Sequence, residues 1–250
     1  MSTCRILTQN CCLLPTHVYQ ARGADNRSQR AQLIVRLVQR YDVVLLQEVF
    51  STMWCKEWRK LFAAVPELVT INPERGNKLL DSGLVVLSRY PVIASSFHRF
   101  RSKPLTNSII DRGFLYAKLD AHGRTLHVIN THLAPSEWSA GFHSSQEYRR
   151  RQLDEMLAFK AQQKSAPDDI WIVGGDFNDE RVVMRMPTDM DISLVFEQPP
   201  TSHNLVPYAI PSTDHKCIDY LVTSCGQLYA KRVESLVSDH YGVEVAVALG

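Results

Sequence analysis

The chain has 250 residues and a formal net charge of +2, and 45% of its residues are hydrophobic while 22% are charged. This composition is typical of a soluble globular protein with a large buried core, and it excludes a disordered or fibrous one. The near-neutral charge disfavours a protein whose main work is to grip a nucleic-acid backbone, so we expect no nucleic-acid partner.

The sequence shows no targeting or membrane-spanning signal. It contains no run of about 18 apolar residues, and its start lacks the charged and apolar regions of a secretory signal. The six cysteines include no CxxC pair. We therefore expect reduced thiols in a cytoplasmic protein.

Two periodicities along the chain predict its elements. Short β-branched runs predict strands, and apolar residues at every third or fourth position predict helices. In chain order we predict a strand ending at Asn10, a helix over Ser28–Arg40, a strand at Val43–Gln47, a helix over Thr52–Ala64, a strand at Gly83–Ser88, a hairpin of Phe114–Leu119 and Thr125–Asn130 with His122-Gly123 in its turn, a helix over Ser144–Gln163, and strands at Ile170–Gly174, Ile218–Val222 and Val243–Val247. This order predicts one α/β domain over residues 1–250, with two mixed, mostly antiparallel sheets packed together and helices outside.

Several polar residues share one position, the C-terminal end of an apolar strand or the loop just beyond it. Strand ends are rigid and their loops meet at one rim, so such side chains can converge. The residues in this position are Asn10, Glu48, His132, Asp176, Asn178, Asp239 and His240.

Glu48 and the segment around Asp176 are the most informative of these. Glu48 lies at the edge of a buried strand, where a charge is costly without a metal or a cationic partner. The glycines before Asp176 allow a backbone to approach a ligand closely, so Asp176 and Asn178 can bracket one phosphate. Taken alone, an asparagine after a strand, such as Asn10, is usually a turn residue, and Gly-Asp is usually a turn or helix cap.

Asp219 interrupts an apolar strand, and a buried aspartate needs a partner. A histidine from a neighbouring strand end would serve, as would a lysine or arginine. His240 follows the acid Asp239 and has the chemistry of a general base. The alternative for His240 is a solvated histidine in a turn.

Together these residues predict metal-assisted phosphoryl chemistry. Glu48, Asn10 and Asp239 offer the hard oxygen ligands that Mg²⁺ binds while it keeps several waters. No Cys/His ligand spacing points to zinc. We expect Mg²⁺, for which Mn²⁺ can substitute, to neutralise charge on a phosphate while an oriented water attacks.

Six short motifs resemble the signature series of the endonuclease/exonuclease/phosphatase superfamily. Each motif is weak alone, but their shared order is specific and they extend over nearly the whole chain. The motifs are Gln9-Asn10, Leu46–Phe50, Asn130–Leu133, Gly175–Asn178, Ile218–Tyr220 and Ser238–His240. The resemblance implies a deoxyribonuclease-I-like four-layer α/β sandwich.

Within this superfamily the chain is most similar to neutral sphingomyelinases, in Asp42–Phe50, Asp81–Val92, Arg112–Leu115 and Thr131–Pro135. Inositol-phosphate phosphatases and other lipid-acting relatives share parts of these segments. The resemblance implies a phospholipase-C-type phosphodiesterase that converts sphingomyelin, or a related phospholipid, to phosphocholine and ceramide. The alternatives are a nuclease or DNA-repair phosphodiesterase and an inositol-phosphate phosphatase. The intact set of polar residues argues against a third, a catalytically dead binding module.

The resemblance also implies roles on the metal side of the site. Glu48 would be the principal Mg²⁺ ligand, with Asn10 beside it and Asp239 near the metal.

The remaining roles concern the phosphate and the water. His132 would stabilise charge on the phosphate, and Asp176 and Asn178 would position water or phosphate. His240, held by Asp219, would be the general base. Asp176 and His240 can exchange the task of activating water.

A lipid substrate implies a protein that binds membranes at their surface. Trp138 and Phe142, which follow the His132 motif, could insert into the interface. Trp54 and Trp58 are the other aromatic pair, although their spacing also fits the core-facing stripe of a helix. We expect a monomer that binds its phospholipid substrate peripherally.

Overall fold

The computed structural model describes residues 2–13, 27–50, 62, 65, 67–72, 81–102, 110–135, 142–181, 185–192, 217–234 and 237–250. Twelve strands and two helices are defined in this part of the chain. They are β1 (Thr3–Asn10), α1 (Arg27–Val38), β2 (Val43–Gln47), β3 (Val69–Ile71), β4 (Val85–Ser88), β5 (Val92–Arg99), β6 (Gly113–Ala121), β7 (Arg124–His132), α2 (Phe142–Gln162), β8 (Ile170–Asp176), β9 (Asp191–Ile192), β10 (Asp219–Thr223), β11 (Gln227–Val233) and β12 (Gly242–Ala248).

The strands form two mixed sheets of six. The order of the first sheet is β11-β12-β1-β2-β4-β3, and that of the second is β5-β6-β7-β8-β10-β9. Each sheet has one parallel pair among the described strands, β1 with β2 and β7 with β8, and the other pairs are antiparallel. The prediction of two mixed, mostly antiparallel sheets is confirmed.

An apolar core fills the space between the sheets. Ile6 and Leu45 of the first sheet belong to the same buried cluster as Val128 and Ile172 of the second. Because successive side chains of a strand point to opposite faces, the residues next to these in sequence lie on the outer face of each sheet.

The helices cover these outer faces. Leu7 of β1 belongs to a second buried cluster together with Ile34 of α1, and Trp171 of β8 belongs to a third together with Leu153 of α2. The layers are therefore helix, sheet, sheet and helix, as predicted. No helix in the described part of the chain is both long and apolar enough to cross a bilayer.

The hairpin of β6 and β7 turns at the two predicted residues. His122 and Gly123 both have positive φ angles, 59° and 89°, which suits the tight turns that match the twist of paired strands. Asp120 Oδ1 accepts a hydrogen bond from the Gly123 amide at 2.7 Å.

The predictions missed β3, β5, β9 and β11, which are the strands at the edges of the two sheets. β3 and β9 are only three and two residues long. Most side chains of β5 are exposed, as are several of β11, so neither sequence shows the apolar run that marked the central strands. Of the predicted helix over Thr52–Ala64, only Phe62 is among the described residues, where it is helical and buried. Trp54 and Trp58 lie outside the described residues.

Candidate active site

Strand register brings the predicted site residues to one rim of the sandwich. Asn10 ends β1 at the level where the parallel strand β2 ends, so Glu48 follows at the same edge. In the second sheet His132, Asp176 and Asp219 are register partners across β7, β8 and β10. The convergence that we expected from strand ends is therefore present.

The Asn10 amide joins carboxylates of both sheets. Its Nδ2 donates to Glu48 Oε1 at 3.2 Å and to Asp176 Oδ2 at 3.0 Å. His132 Nε2 lies 3.5 Å from the same Asp176 oxygen. Asp176 Oδ1 accepts the backbone amide of Asn178 at 2.8 Å. One carboxylate, that of Asp176, thus contacts three of the predicted residues.

The partner of Asp219 is a histidine. His240 Nδ1 lies 2.8 Å from Asp219 Oδ2, and both residues are buried. A carboxylate accepts hydrogen bonds, so the proton of a neutral His240 is assigned to Nδ1, which leaves Nε2 for proton transfer. Gln9 Nε2 holds the same residue from the first sheet by donating to the His240 carbonyl at 3.0 Å.

Burial sets the protonation of Asp176 and Glu48. Burial and then the charge of Asp219 raise the pKa of Asp176 to about 7, against the lowering effect of His240. Burial and then the charge of Asp239 raise the pKa of Glu48. Two carboxylates are thus held where negative charge is unfavourable, as expected where a cation binds.

The two histidines are shifted in opposite directions. Burial lowers the pKa of His240, but the charges of Asp219, Asp176 and Asp239 outweigh it, and the net pKa lies well above the ordinary value. Burial, together with the nearby positive charges of Arg112 and His240, lowers the pKa of His132 well below it.

Asp239 lies beside His240 and keeps its charge. Burial alone would raise the pKa of Asp239, but the charge of His240 and hydrogen bonds from Cys12 and Ser238 hold it below the ordinary value. The electrostatics therefore couple Asp239 to Glu48 on one side and to His240 on the other.

Strained backbone concentrates at this rim. Cys12, Glu48 and Asn178, just beyond the ends of β1, β2 and β8, have φ angles of 48°, 57° and 53°. Non-glycine residues rarely adopt this conformation, and such strain clusters at functional sites.

The glycines before Asp176 have a different role from the one predicted. A Cβ on Gly175 would lie 1.9 Å from the carbonyl oxygen of Thr131, and one on Gly174 would lie 2.5 Å from Leu221 Cδ2. Both positions are therefore filled by neighbouring strands. The interpretation that these glycines admit a ligand is wrong, because packing within the sandwich requires them.

The donor set fits a hard divalent cation. Glu48 and Asp239 provide carboxylate oxygen atoms, and Asn10 provides an amide oxygen that also accepts the Cys12 backbone amide at 3.0 Å. Burial and then the charge of Asp239 raise the pKa of Glu48, and a cation would stabilise both carboxylates. Among the described residues, one further group could hold a metal, since donor atoms of Asp176, Asp219 and His240 all lie within 4.8 Å of one another. Because His240 Nδ1 is already bonded to Asp219, this second group is better suited to orienting the histidine.

Several supporting residues were not predicted. Arg30 of α1 donates to the carbonyl oxygens of Cys11, Cys12 and Val237 at 3.0 to 3.1 Å, so it ties the loop after β1 to the loop before β12. Arg112 is buried and its charge acts on the neighbouring site. The signal for Arg30 was weak, because an arginine on an amphipathic helix is usually solvent-exposed.

The predicted membrane residues cannot be placed. Trp138 and the side chain of Phe142 lie outside the described residues, although the Phe142 backbone begins α2. Their role stays a prediction.

Comparison with known proteins identifies relatives over nearly the whole chain. A model of the Endonuclease/Exonuclease/phosphatase family matches residues 7–240. Sphingomyelinase C of Bacillus cereus is 25% identical over 258 residues, which cover 89% of this chain and 75% of that protein.

Solved structures share the fold. SmcL has a TM-score of 0.81 at 19% identity, over 98% of this chain and 99% of that one. A variant of Staphylococcus aureus beta toxin, crystallised with bound magnesium ions, has a TM-score of 0.77 at 18% identity, over 99% of this chain and 100% of that one. The predicted deoxyribonuclease-I-like fold and the resemblance to sphingomyelinases are confirmed.

Proposed function

Since the chain belongs to the endonuclease/exonuclease/phosphatase family, we propose that it is a Mg²⁺-dependent phosphodiesterase that hydrolyses sphingomyelin, or a related phospholipid, to phosphocholine and ceramide. The family and its sphingomyelinase relatives support a phosphodiesterase-type hydrolase. The observation that carries the proposal is the Asn10 amide, which joins Glu48 and Asp176 across the two sheets beside the Asp219–His240 pair.

The reaction adds water across the P–O bond to ceramide. His240, oriented through Nδ1 by Asp219, takes a proton from the attacking water at Nε2. It must be neutral to do so, although the charges of Asp219, Asp176 and Asp239 raise its pKa. A cation bound beside Asp239 would offset these charges and lower the pKa of His240. The water oxygen bonds to phosphorus as the bond to the ceramide oxygen breaks. The ceramide oxygen takes a proton from solvent, and His240 releases its proton to solvent, which restores the base. Asp176, whose pKa is raised to about 7, is the alternative base, because a catalytic pKa near the working pH suits proton transfer.

Other side chains act on the phosphate. His132 is neutral at neutral pH because burial and nearby positive charges lower its pKa. It therefore donates one hydrogen bond to a phosphate oxygen without adding charge. Asn178, held by Asp176 through its backbone amide, helps to position the phosphate or the water.

Glu48, Asn10 and Asp239 would hold the Mg²⁺, and Mn²⁺ would substitute. When bound, the ion would neutralise negative charge that develops on the phosphate and the leaving oxygen. A protein that carries an excess of carboxylates at the rim but a net charge of only +2 overall suits a zwitterionic lipid headgroup better than a polyanionic nucleic acid.

The proposal includes a location. We place the protein in the cytoplasm, as a monomer bound peripherally to membranes through Trp138 and Phe142. The free thiols of Cys4, Cys11 and Cys12 are typical of a reducing compartment.

The experiment that tests the function compares four substrates in parallel, with Mg²⁺ and with EDTA. We expect release of phosphocholine from sphingomyelin, abolished by EDTA and restored by Mg²⁺ or Mn²⁺. Lyso-phosphatidylcholine, an inositol phosphate and abasic DNA test the related lipid and the two alternatives. His240→Ala is the control for a contaminating activity and should lower turnover at least ~100-fold. Cleavage of abasic DNA without any attack on lipid would overturn the lipid assignment.

A further inference from the structure

Two buried amide side chains lie directly beneath the candidate active site, between the two sheets. Gln47 and Asn130 are both 0% exposed. Gln47 immediately precedes Glu48, and Asn130 lies two residues before His132. Because alternate residues of a strand share a face, Asn130 points into the same space between the sheets as His132. The amides therefore form a floor under the site.

Asn130 joins the second sheet to the first through three hydrogen bonds. Its Nδ2 donates to the carbonyl oxygens of Leu46 at 2.8 Å and Val85 at 2.9 Å, and its Oδ1 accepts from Gln47 Nε2 at 2.8 Å. Carbonyl oxygens only accept, so the orientation of the Asn130 amide is determined, and Gln47 must present its NH₂ group to it. Gln47 Nε2 also lies 3.0 Å from Thr8 Oγ1.

Below this floor the contacts between the sheets are apolar. Leu45, Val128 and Ile172 belong to the shared core. Apolar contacts favour close packing but have no preferred direction, whereas a hydrogen bond constrains both distance and angle. The amide pair thus specifies how one sheet is placed on the other near the site.

We infer that the Gln47–Asn130 pair positions the two sheets relative to each other. It thereby sets the distance between the two halves of the active site, one of which lies on each sheet. Glu48 belongs to the first half, and His132 and Asp176 belong to the second. The inference rests on the proposed function, which needs both halves to act on one phosphate. Neither amide contacts the reacting atoms, so both are positioning residues.

The geometric tolerance of such a site is narrow. Catalytic groups must be held to within roughly 0.5 Å, and a misplacement of about 1 Å can reduce the rate about 100-fold. Loss of the pair should therefore lower activity even in a protein that is fully folded.

The experiment uses Gln47→Met and Asn130→Leu, which keep side-chain volume but remove the hydrogen bonds between the amides. We measure kcat and KM on sphingomyelin well below the melting temperature, and Mg²⁺ binding without substrate by calorimetry. We expect kcat to fall about 10- to 100-fold, with KM near that of the parent. Asn130 also holds Leu46 and Gln47, the two residues before Glu48. Loss of the pair should therefore displace Glu48 from Asn10 and Asp239 and weaken Mg²⁺ affinity on the same scale. Gln47→Met leaves both bonds from Asn130 to the backbone in place, so it is the milder variant if Asn130→Leu does not fold.

Tyr116→Phe is the matched control. It removes one buried hydrogen bond, from the Tyr116 hydroxyl to His127 Nδ1 at 2.8 Å, on the outer face of the same sheet. We expect this control to lower the melting temperature and to leave kcat and Mg²⁺ affinity unchanged.

Three outcomes distinguish a failure of the positioning role from a failure of the proposed function. Variants that lose thermal stability like the control but keep parental kcat and Mg²⁺ affinity would overturn the role of the pair alone. A parent that binds Mg²⁺ but does not hydrolyse lipid would overturn the substrate assignment, and the Mg²⁺ titration would still test the pair. A parent with neither property would overturn both.

Discussion

Three ionisable side chains of the site share one small buried volume. Donor atoms of Asp176, Asp219 and His240 lie within 4.8 Å of one another, so the charge of each affects the others. The sequence indicated which residue types would meet. It did not indicate that the pKa of Asp176 would rise to about 7, because that shift depends on how much water the folded chain excludes.

Asp219→Asn tests whether the buried aspartate acts through His240. The change preserves shape but removes the charge that stabilises and orients the imidazole, so we expect kcat to fall about 100-fold or more. The measurement is turnover of sphingomyelin at saturating Mg²⁺, with circular dichroism to establish folding.

The control is Asp169→Asn. Asp169 also bonds a histidine, His127 Nε2 at 3.0 Å, but it precedes the start of β8 whereas Asp176 ends that strand, about 20 Å away at the rise of an extended chain. We expect this variant to keep parental turnover. Equal kcat for Asp219→Asn and the parent would contradict the proposed orientation of His240.

Among the elements, central strands were predictable and edge strands were not. β2, β8, β10 and β12 are buried along nearly their whole length, so an apolar run marks each one. β5 and β11 each have one partner in the sheet order and several exposed side chains. Their backbone pairing, which the side chains do not reveal, defines them.

The outer face of β7 carries a histidine that should make stability depend on pH. His127 bonds Tyr116 and Asp169 and stacks on Trp171 with 4.3 Å between ring centroids. Burial lowers the pKa of His127 below 6.5 despite the opposing effect of Asp169. Between this lowered pKa and about pH 6.5, His127 therefore binds fewer protons in the folded state than in the unfolded state.

His127→Gln cannot titrate at this position, so the difference in free energy of unfolding between parent and variant isolates His127. We expect this difference to shift against the parent as the pH falls from about 6.5 through the lowered pKa, and to be constant above about pH 6.5, when both are measured by urea unfolding. Other buried groups with shifted pKa values, such as His132, His240, Asp176 and Glu48, are present in both proteins and cancel in the difference. Identical pH dependence in parent and variant would contradict the assignment.

At the scale of the whole molecule, the site is an interface between two sheets. Asn10 ends one strand of the first sheet and Glu48 follows another, whereas His132 and Asp176 end strands of the second sheet. Local sequence could place each residue at a strand end, but only the packing of the sheets could place the ends together. The extent of one domain over residues 1–250 stays a prediction.

Membrane binding also belongs to this scale. If Trp138 and Phe142 insert into the membrane as proposed, Trp138→Ala/Phe142→Ala should weaken binding to sphingomyelin-containing vesicles about tenfold or more, because the two aromatic side chains would no longer be buried in lipid. The measurement is co-sedimentation with EDTA present, so that no substrate is consumed.

The control is Leu228→Ala/Tyr229→Ala, an exposed apolar pair (59% and 40%). It lies on β11 near Gln227, which pairs with Val247 at the end of the sheet away from the site, so we expect it to leave binding unchanged. Parental binding by the Trp138/Phe142 variant would exclude insertion through this segment.

The sequence by itself determined the residue types of the site, the central strands and the family, because local periodicity and ordered motifs need no knowledge of long-range contacts. The tertiary structure decided which of those residues contact one another and how each contact changes their pKa values. The shifted pKa values, the need for Gly175 and the Gln47–Asn130 contact all arise between segments far apart in the chain. Burial and hydrogen-bond geometry between such segments are properties of the packed sheets, so no stretch of sequence contains them.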